Sequence, residues 1–150
     1  LCRGFRAQRI CYDKVVSKRL MDQQECIFCS KKNCTIIKTT KYFFIIRDTS
    51  YPVTKHHTLI ITNRHVSDYF DLTKEETAEL NEILKKQKTE LQKIDREITG
   101  FNLGVNIGAD AGQSIKHCHI HLIPRRKGDV EDPRGGVRGV IPSRQKYIRK

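Results

Sequence analysis

The sequence predicts an α+β domain in which an antiparallel sheet of about five strands packs against one long α-helix. Three observations predict it. Short runs of β-branched and aromatic residues recur between turn residues, as strands do. A single long segment repeats its apolar residues at helical spacing. Beyond it, three histidines alternate with apolar residues, which is the period of a strand.

In chain order, Thr35–Lys38 and Tyr42–Arg47 read as the first two strands and Thr58–Thr62 as the third. Thr73 then opens a helix, and Glu76 three residues later completes a capping-box pattern. Leu80, Ile83, Leu84, Gln87, Leu91, Ile94 and Ile98 fall on one stripe, with Gly100 as the expected stop. Such a stripe covers a sheet and leaves a charged face outside. Phe101–Ile107 and His117–Pro124 supply two more strands, joined by a Gly-rich turn. Hairpin-like strands with one long helix favour antiparallel pairing.

A chain of 150 residues supports one domain with a modest core. Its net charge of +12 raises a nucleic-acid reading, so the location of the charge matters. Residues 1–20 carry +5 and residues 125–150 carry +6, whereas residues 21–124 carry only +1. With a nearly neutral body and 7% aromatic residues, the chain offers few stacking platforms, which disfavours a dedicated nucleic-acid binder. No apolar run approaches the length of a membrane span, and there is no secretory signal pattern. The cysteines at 2, 11, 26, 29, 34 and 118 lack disulfide-framework spacing, which favours a reducing, cytoplasmic setting. Residues 1–20 read as a basic extension outside the domain. Met21 is the expected natural start, the preceding stretch being an expression leader or upstream translation; the alternative is that residues 1–20 are the remnant of a targeting segment.

The chemistry concentrates in His117-Cys118-His119-Ile120-His121. Alternation puts the three rings on one face of a strand, about 7 Å apart, with Cys118, Ile120 and Leu122 on the other. Imidazole is substantially neutral near pH 7 and needs no strong activation to act as a nucleophile. One ring can attack while its neighbours position or neutralise the group under attack. Upstream, Gly112, Gln113 and Ser114 can present backbone N–H groups and a hydroxyl to phosphate oxygens. Losing one such donor costs ~3 kcal/mol, or about a hundredfold in rate. Cys26-Ile27-Phe28-Cys29 has the spacing of half a zinc site.

The pattern His-φ-His-φ-His-φ-φ, with φ apolar, is met at every position from His117 to Ile123. Asn106 and the Gly112-Gln113-Ser114 turn precede it at a matching distance. On these residues the chain resembles the histidine triad (HIT) family of nucleotidyl hydrolases and transferases, from roughly Cys26 to Tyr147. The resemblance implies a HIT-like fold, with residues 21–124 as the HIT domain and 125–150 as a basic extension packing near the active site. It implies a covalent nucleotidyl-histidine formed on His119. His121 would lie near the phosphate and leaving group, His117 would orient the site or bind metal, and Ser114, Gly112 and Gln113 would serve the phosphate. Asp48 would hold the ribose hydroxyls, its other reading being a turn-forming Asp before Thr49-Ser50. His57 matches a further histidine before the third strand, with His56 as the neighbouring alternative, and Asn106 would contact the leaving side.

Bacterial-type members complete the Cys-x-x-Cys pair with two histidines, here His65 and His117, giving a closed structural zinc shell of Cys26, Cys29, His65 and His117. Cys34 is an alternative thiol ligand. The tail, where Arg134 and Arg138 flank glycines, resembles that of members grouped with diadenosine tetraphosphate hydrolases. Its arginines would meet a phosphate chain or pair with Asp129 or Asp132. The expected function is therefore hydrolysis of a nucleotide phosphoanhydride, on a dinucleoside polyphosphate such as diadenosine tetraphosphate. The alternatives are a nucleoside phosphoramidase with the same intermediate and a nucleotide-binding regulatory protein. Expected partners are a purine nucleotide or dinucleoside polyphosphate and a second copy in a homodimer, without membrane or dedicated nucleic-acid binding.

Overall fold

The computed structural model describes residues 26–32 and 34–146, so the expected extension over 1–20 and the start at Met21 lie outside the described residues. A one-turn helix, α1 (Ile27–Ser30), leads into β1 (Ile36–Thr39), β2 (Phe43–Arg47) and β3 (Thr58–Thr62). The long helix α2 (Lys74–Ile94) follows, then β4 (Ile98–Gly104) and β5 (His119–Arg126). The sheet order is β1-β2-β3-β5-β4, and each neighbouring pair is antiparallel. Five antiparallel strands and one long helix are what the sequence predicts.

Phe43–Ile46 of β2 and the whole of β3 are buried on both faces, which is why these segments read as continuous apolar runs. On one face Phe43, Ile45, Ile60, Cys118 and Ile120 meet Leu80 and Ile83 of α2. On the other, Phe44, Ile46, Leu59 and Ile61 meet Cys26 and Phe28. Burial of each large apolar side chain contributes about 1.5–3 kcal/mol. Phe28 therefore anchors the N-terminal segment over the sheet face opposite the helix.

The predicted capping box forms: the Thr73 hydroxyl accepts from the Glu76 N–H, and the Glu76 carboxylate accepts from the Thr73 N–H. Arg64 also grips that carboxylate, at 2.6 and 2.8 Å, and holds it below the usual carboxylate range. Arg64 adjoins His65, so the group that starts the helix also fixes the loop carrying that histidine.

The helix is shorter than its apolar stripe predicts. It ends at Ile94, which is 64% exposed, and Ile98 belongs to β4. Asp95 breaks it. Its backbone is extended, and its carboxylate accepts from the Glu97 N–H at 3.0 Å and from Arg126 at 2.8 Å. Such local side-chain bonds compete with a further helical turn. Gly100 is not the stop; it sits at a register shift in β4 against β5, as a bulge glycine does. β4 ends at Gly104, short of the expected Ile107, and β5 begins at His119, with His117 ending the bend before it and Cys118 between the two.

β5 runs on to Arg126, and two 3₁₀ turns, Gly136–Val140 and Pro142–Arg144, fold the C-terminal segment back on itself. Asn102 lies opposite Ile123, so it shares the face of the odd-numbered β5 residues. Gly136 approaches the Asn102 side chain, which puts this segment on the histidine face. Gly135 has φ 78°, and a Cβ there would lie 2.0 Å from the Gln145 carbonyl oxygen. Gly135→Ala is expected to release the turn pair while sparing the sheet. Limited proteolysis should then cut more than about tenfold faster at Arg138 and Arg144, since local opening governs cleavage; an unchanged digestion pattern would refute this.

Candidate active site

His117, His119 and His121 share the sheet face opposite the helix. Cys118 and Ile120 pack under α2, while Phe28 lies edge-on to His117 at 5.8 Å and to His119 at 5.3 Å. The His119 and His121 rings lean together, with centroids 5.1 Å apart, closer than the backbone repeat of about 7 Å.

Hydrogen bonds give each ring a different role. His119 Nδ1 lies 2.7 Å from the His117 carbonyl oxygen, which can only accept. Nδ1 therefore carries the proton, and Nε2 keeps its lone pair. Burial lowers the His119 pKa, against the opposing pull of that carbonyl, so the ring is neutral at pH 7. This is the state a nucleophile needs. In His117 the pattern is reversed: Nε2 donates to the Thr62 carbonyl at 2.8 Å, and the Nδ1 lone pair faces Cys26 and Cys29.

His121 is held from the side. Its Nδ1 is 3.0 Å from His57 Nε2, and the two rings stack with centroids 5.2 Å apart. Its Nε2 is buried, with no hydrogen-bond partner among the described residues. An orphan polar atom costs about 1–3 kcal/mol, which an incoming oxygen would offset. Burial, then the neighbouring His119 and His57, push the His121 pKa down to about 4.

His57, not His56, therefore joins the triad. Burial lowers its pKa also, with Asp48 opposing. The Val53 N–H points at His57 Nδ1 from 3.3 Å, and Asp48 Oδ2 lies 3.3 Å from the same nitrogen. Asp48 Oδ1 accepts the Ser50 and Tyr51 N–H groups, so Asp48 both forms its turn and adjoins the histidines. His56 points instead to Asp95, with φ 69°. A left-handed conformation costs a residue with a Cβ about 1–2 kcal/mol.

The Gly-rich turn is braced from within. Gly112, at φ 81°, directs its N–H to Ala109, and the Gln113 N–H goes to Gly108. The Gln113 side chain bonds the Gly108 N–H and the Ser67 carbonyl. The two amides expected to face phosphate are thus engaged inside the turn, whereas Ser114 is exposed. Asn106 is half-buried, two residues beyond Gly104, which pairs with His121.

Cys26, Cys29, His65 and His117 converge, with their ligand atoms all within 4.8 Å of one another. Cys29 Sγ lies 3.2 Å from His65 Nδ1, and Cys26 Sγ lies 3.3 Å from His117 Nδ1. Tetrahedral bonds of about 2.0–2.3 Å to such donors imply edges of this size, so the residues fit a metal ion. The Thr62 carbonyl is the outer partner that would fix the His117 ligand nitrogen. Cys34 packs beside this cluster without belonging to it.

In the tail, Arg134 pairs with Asp132, and Arg125 with Asp129 at 2.7 Å; Arg138 donates to the Arg144 carbonyl. The Arg125 guanidinium also reaches Asn102 on the histidine face. The ion-pair alternative for the arginines thus describes Arg134 in this structure.

A pH dependence follows from His121. Its folded pKa, about 4, lies below the ordinary value of 6.5. The unfolded chain therefore binds the proton more readily, and stability falls as pH drops from about 6.5 toward 4. After solvent screening at this partly exposed ring, the expected loss is no more than about 2 kcal/mol. Urea midpoints between pH 7 and pH 4.5 check it, with His121→Gln predicted to flatten the slope.

Comparison with known proteins places this geometry. The HIT domain family model matches residues 30–128. An AP-4-A phosphorylase of Mycobacterium tuberculosis is 39% identical over 81 residues, covering 53% of this chain and 41% of that protein. A bis(5'-nucleosyl)-tetraphosphatase [asymmetrical] of Schizosaccharomyces pombe is 35% identical over 81 residues, covering 54% and 44%. The chain thus spans less than half the length of these curated relatives. Among solved structures, a Zn-bound histidine triad family protein from Mycobacterium smegmatis superposes with a TM-score of 0.65 at 29% identity, covering 71% of this chain and 79% of that one.

Proposed function

Because the chain belongs to the HIT domain family, we propose that it is a nucleotide phosphoanhydride hydrolase working through a covalent nucleotidyl-His119, with dinucleoside polyphosphates as substrates. The observation that carries this reading is the His119 ring: Nδ1 donates to the His117 carbonyl, so the Nε2 lone pair is free. Relatives named as a phosphorylase and a tetraphosphatase of such compounds support the substrate class.

In this scheme His119 Nε2 attacks the α-phosphorus, and the bond to the bridging oxygen breaks, that oxygen leaving with the electron pair. The ring becomes cationic, and the His117 carbonyl, already accepting from Nδ1, stabilises the new charge. His121 Nε2 meets a phosphate oxygen, and Ser114 donates from the turn. Water then hydrolyses the phosphorus–nitrogen bond, releasing nucleoside monophosphate and regenerating the imidazole. Asp48 and Asn106 are assigned to the ribose and the leaving side. We assign zinc to Cys26, Cys29, His65 and His117 as a structural ion, its four donors leaving no place for a reacting water.

The reading extends to a homodimer in a cytoplasmic setting. β4 is an edge strand with Leu103 48% exposed, and a groove of about 660 Å³ lies between it and α2, lined by Leu72, Leu80 and Leu84. An exposed edge beside apolar surface suits a second copy. Light scattering should give twice the chain mass; a monomer would refute it. No helix among the described residues is long and apolar enough to cross a membrane.

The activity is tested by incubating the protein with diadenosine tetraphosphate and resolving the products by anion exchange. AMP plus ATP is expected. Intact substrate would overturn the proposal and make adenosine phosphoramidate the next compound to try.

A further inference from the structure

We propose that Asp95 and Arg126, remote from the triad in sequence role, are positioning residues that clamp the turn 54–57 and thereby hold His57 against His121. Arg126 ends β5, and its guanidinium makes three contacts. It bonds Asp95 Oδ2 at 2.8 Å, the Thr54 hydroxyl at 2.8 Å and the Lys55 carbonyl at 3.2 Å. Asp95 caps the C-terminus of α2, is only 8% exposed, and also faces Lys55 and His56 at 3.8 and 3.9 Å. One buried carboxylate and one fork of donors thus tie the helix end, the end of β5 and the turn together.

The turn needs such a clamp. It is closed by the His57 N–H donating to the Thr54 carbonyl at 3.0 Å, and its third residue, His56, holds a positive φ that favours glycine. Left unclamped, the turn would relax, and the relaxation would be felt at His57 and Val53. The Val53 N–H is aligned on His57 Nδ1, whereas Asp48 Oδ2 approaches the same atom without hydrogen-bond alignment. A backbone N–H can only donate, so His57 carries its proton on Nε2 and gives it to His121 Nδ1. His121 in turn carries its proton on the buried Nε2, the atom that has no partner among the described residues. The clamp therefore sets which way the orphan nitrogen is poised: as a donor to an arriving anion.

The inference rests on the reading of His121 as a phosphate-facing group, but it can be checked apart from activity. The test is the ¹⁵N imidazole spectrum of the full chain without substrate, in wild type, Arg126→Lys, Asp95→Ala and Arg126→Lys/His56→Gly. Lysine keeps the charge of Arg126 but cannot span Thr54, Lys55 and Asp95 together. Wild type should show His57 and His121 protonated at Nε2. Arg126→Lys and Asp95→Ala should mix in the other tautomer and lower kcat about tenfold to a hundredfold with KM within about twofold. His56→Gly, which accepts the positive φ without strain, should restore both spectrum and kcat. A single variant that folds with an unchanged spectrum, or that loses activity with an unchanged spectrum, overturns the proposal. If wild type proves inactive on every nucleotide while the spectra shift as expected, the clamp stands and the hydrolase reading falls.

Discussion

His119→Ala is expected to abolish turnover of diadenosine tetraphosphate, by about 10⁴-fold or more in kcat, with nucleotide affinity nearly unchanged. The size of the effect follows from the role. A group that forms the covalent bond has no partial substitute in the site: His117 spends Nε2 on the Thr62 carbonyl, and His121 spends Nδ1 on His57. Alanine also leaves the His117 carbonyl without its donor and opens space beside Phe28, so some loss of stability accompanies the change. His119→Asn separates the two effects, because its amide can still donate to that carbonyl while offering no nucleophile. Both variants should bind a non-hydrolysable nucleotide in calorimetry within about threefold of wild type, since uniform binding does not depend on the attacking atom. A folded His119→Asn protein retaining more than about 1% of kcat would place the nucleophile elsewhere.

Which of these features the sequence shows, and which it hides, depends on the range of the interactions involved. Alternation across His117–Leu122 fixes the faces correctly because both faces of this segment are packed, one by Cys118 and Ile120 under the helix and one by Phe28 over the rings. The capping box is local and forms as read. The helix end is misread because Ile98 continues the apolar stripe by period alone, while Asp95 turns its carboxylate both to the Glu97 N–H and to Arg126, on a strand 31 residues later. The same long-range contact makes Asp95 invisible as anything but a surface acid. Gly112 and Gln113 look like free phosphate donors until the Gly108 and Ser67 groups that engage them are in view. His56 and His57 are indistinguishable as letters. Only the positive φ of His56 turns one ring to Asp95 and leaves the other for His121. One signal was available: a pair of histidines at the end of a turn, preceding a strand that pairs with β5.

Removal of the metal is expected to have the second largest effect. One zinc per chain should be found in protein purified without chelator, and stripping it should lower the melting temperature by about 15 °C. At free zinc a thousandfold above Kd, binding contributes about 4 kcal/mol, and a domain of this size shifts by about 4 °C per kcal/mol. Burial, and then the adjacent Cys26, raise the Cys29 thiol to about 11, so without a metal Cys29 stays protonated in its half-buried site. Zinc binds the thiolate, so its addition to stripped protein should release protons, measurable in a weakly buffered dye solution. The consequence for activity is indirect but large. In the proposed site His117 is both a ligand and the residue whose carbonyl holds His119 Nδ1, so loss of the ion would loosen the proposed nucleophile through one backbone bond. Cys26→Ala should reproduce the stripped protein in melting temperature and in kcat, with no further change on adding chelator. Stripped protein that melts and turns over like the untreated protein would show that the four residues stabilise the fold without an ion, through the Cys–His hydrogen bonds seen between them.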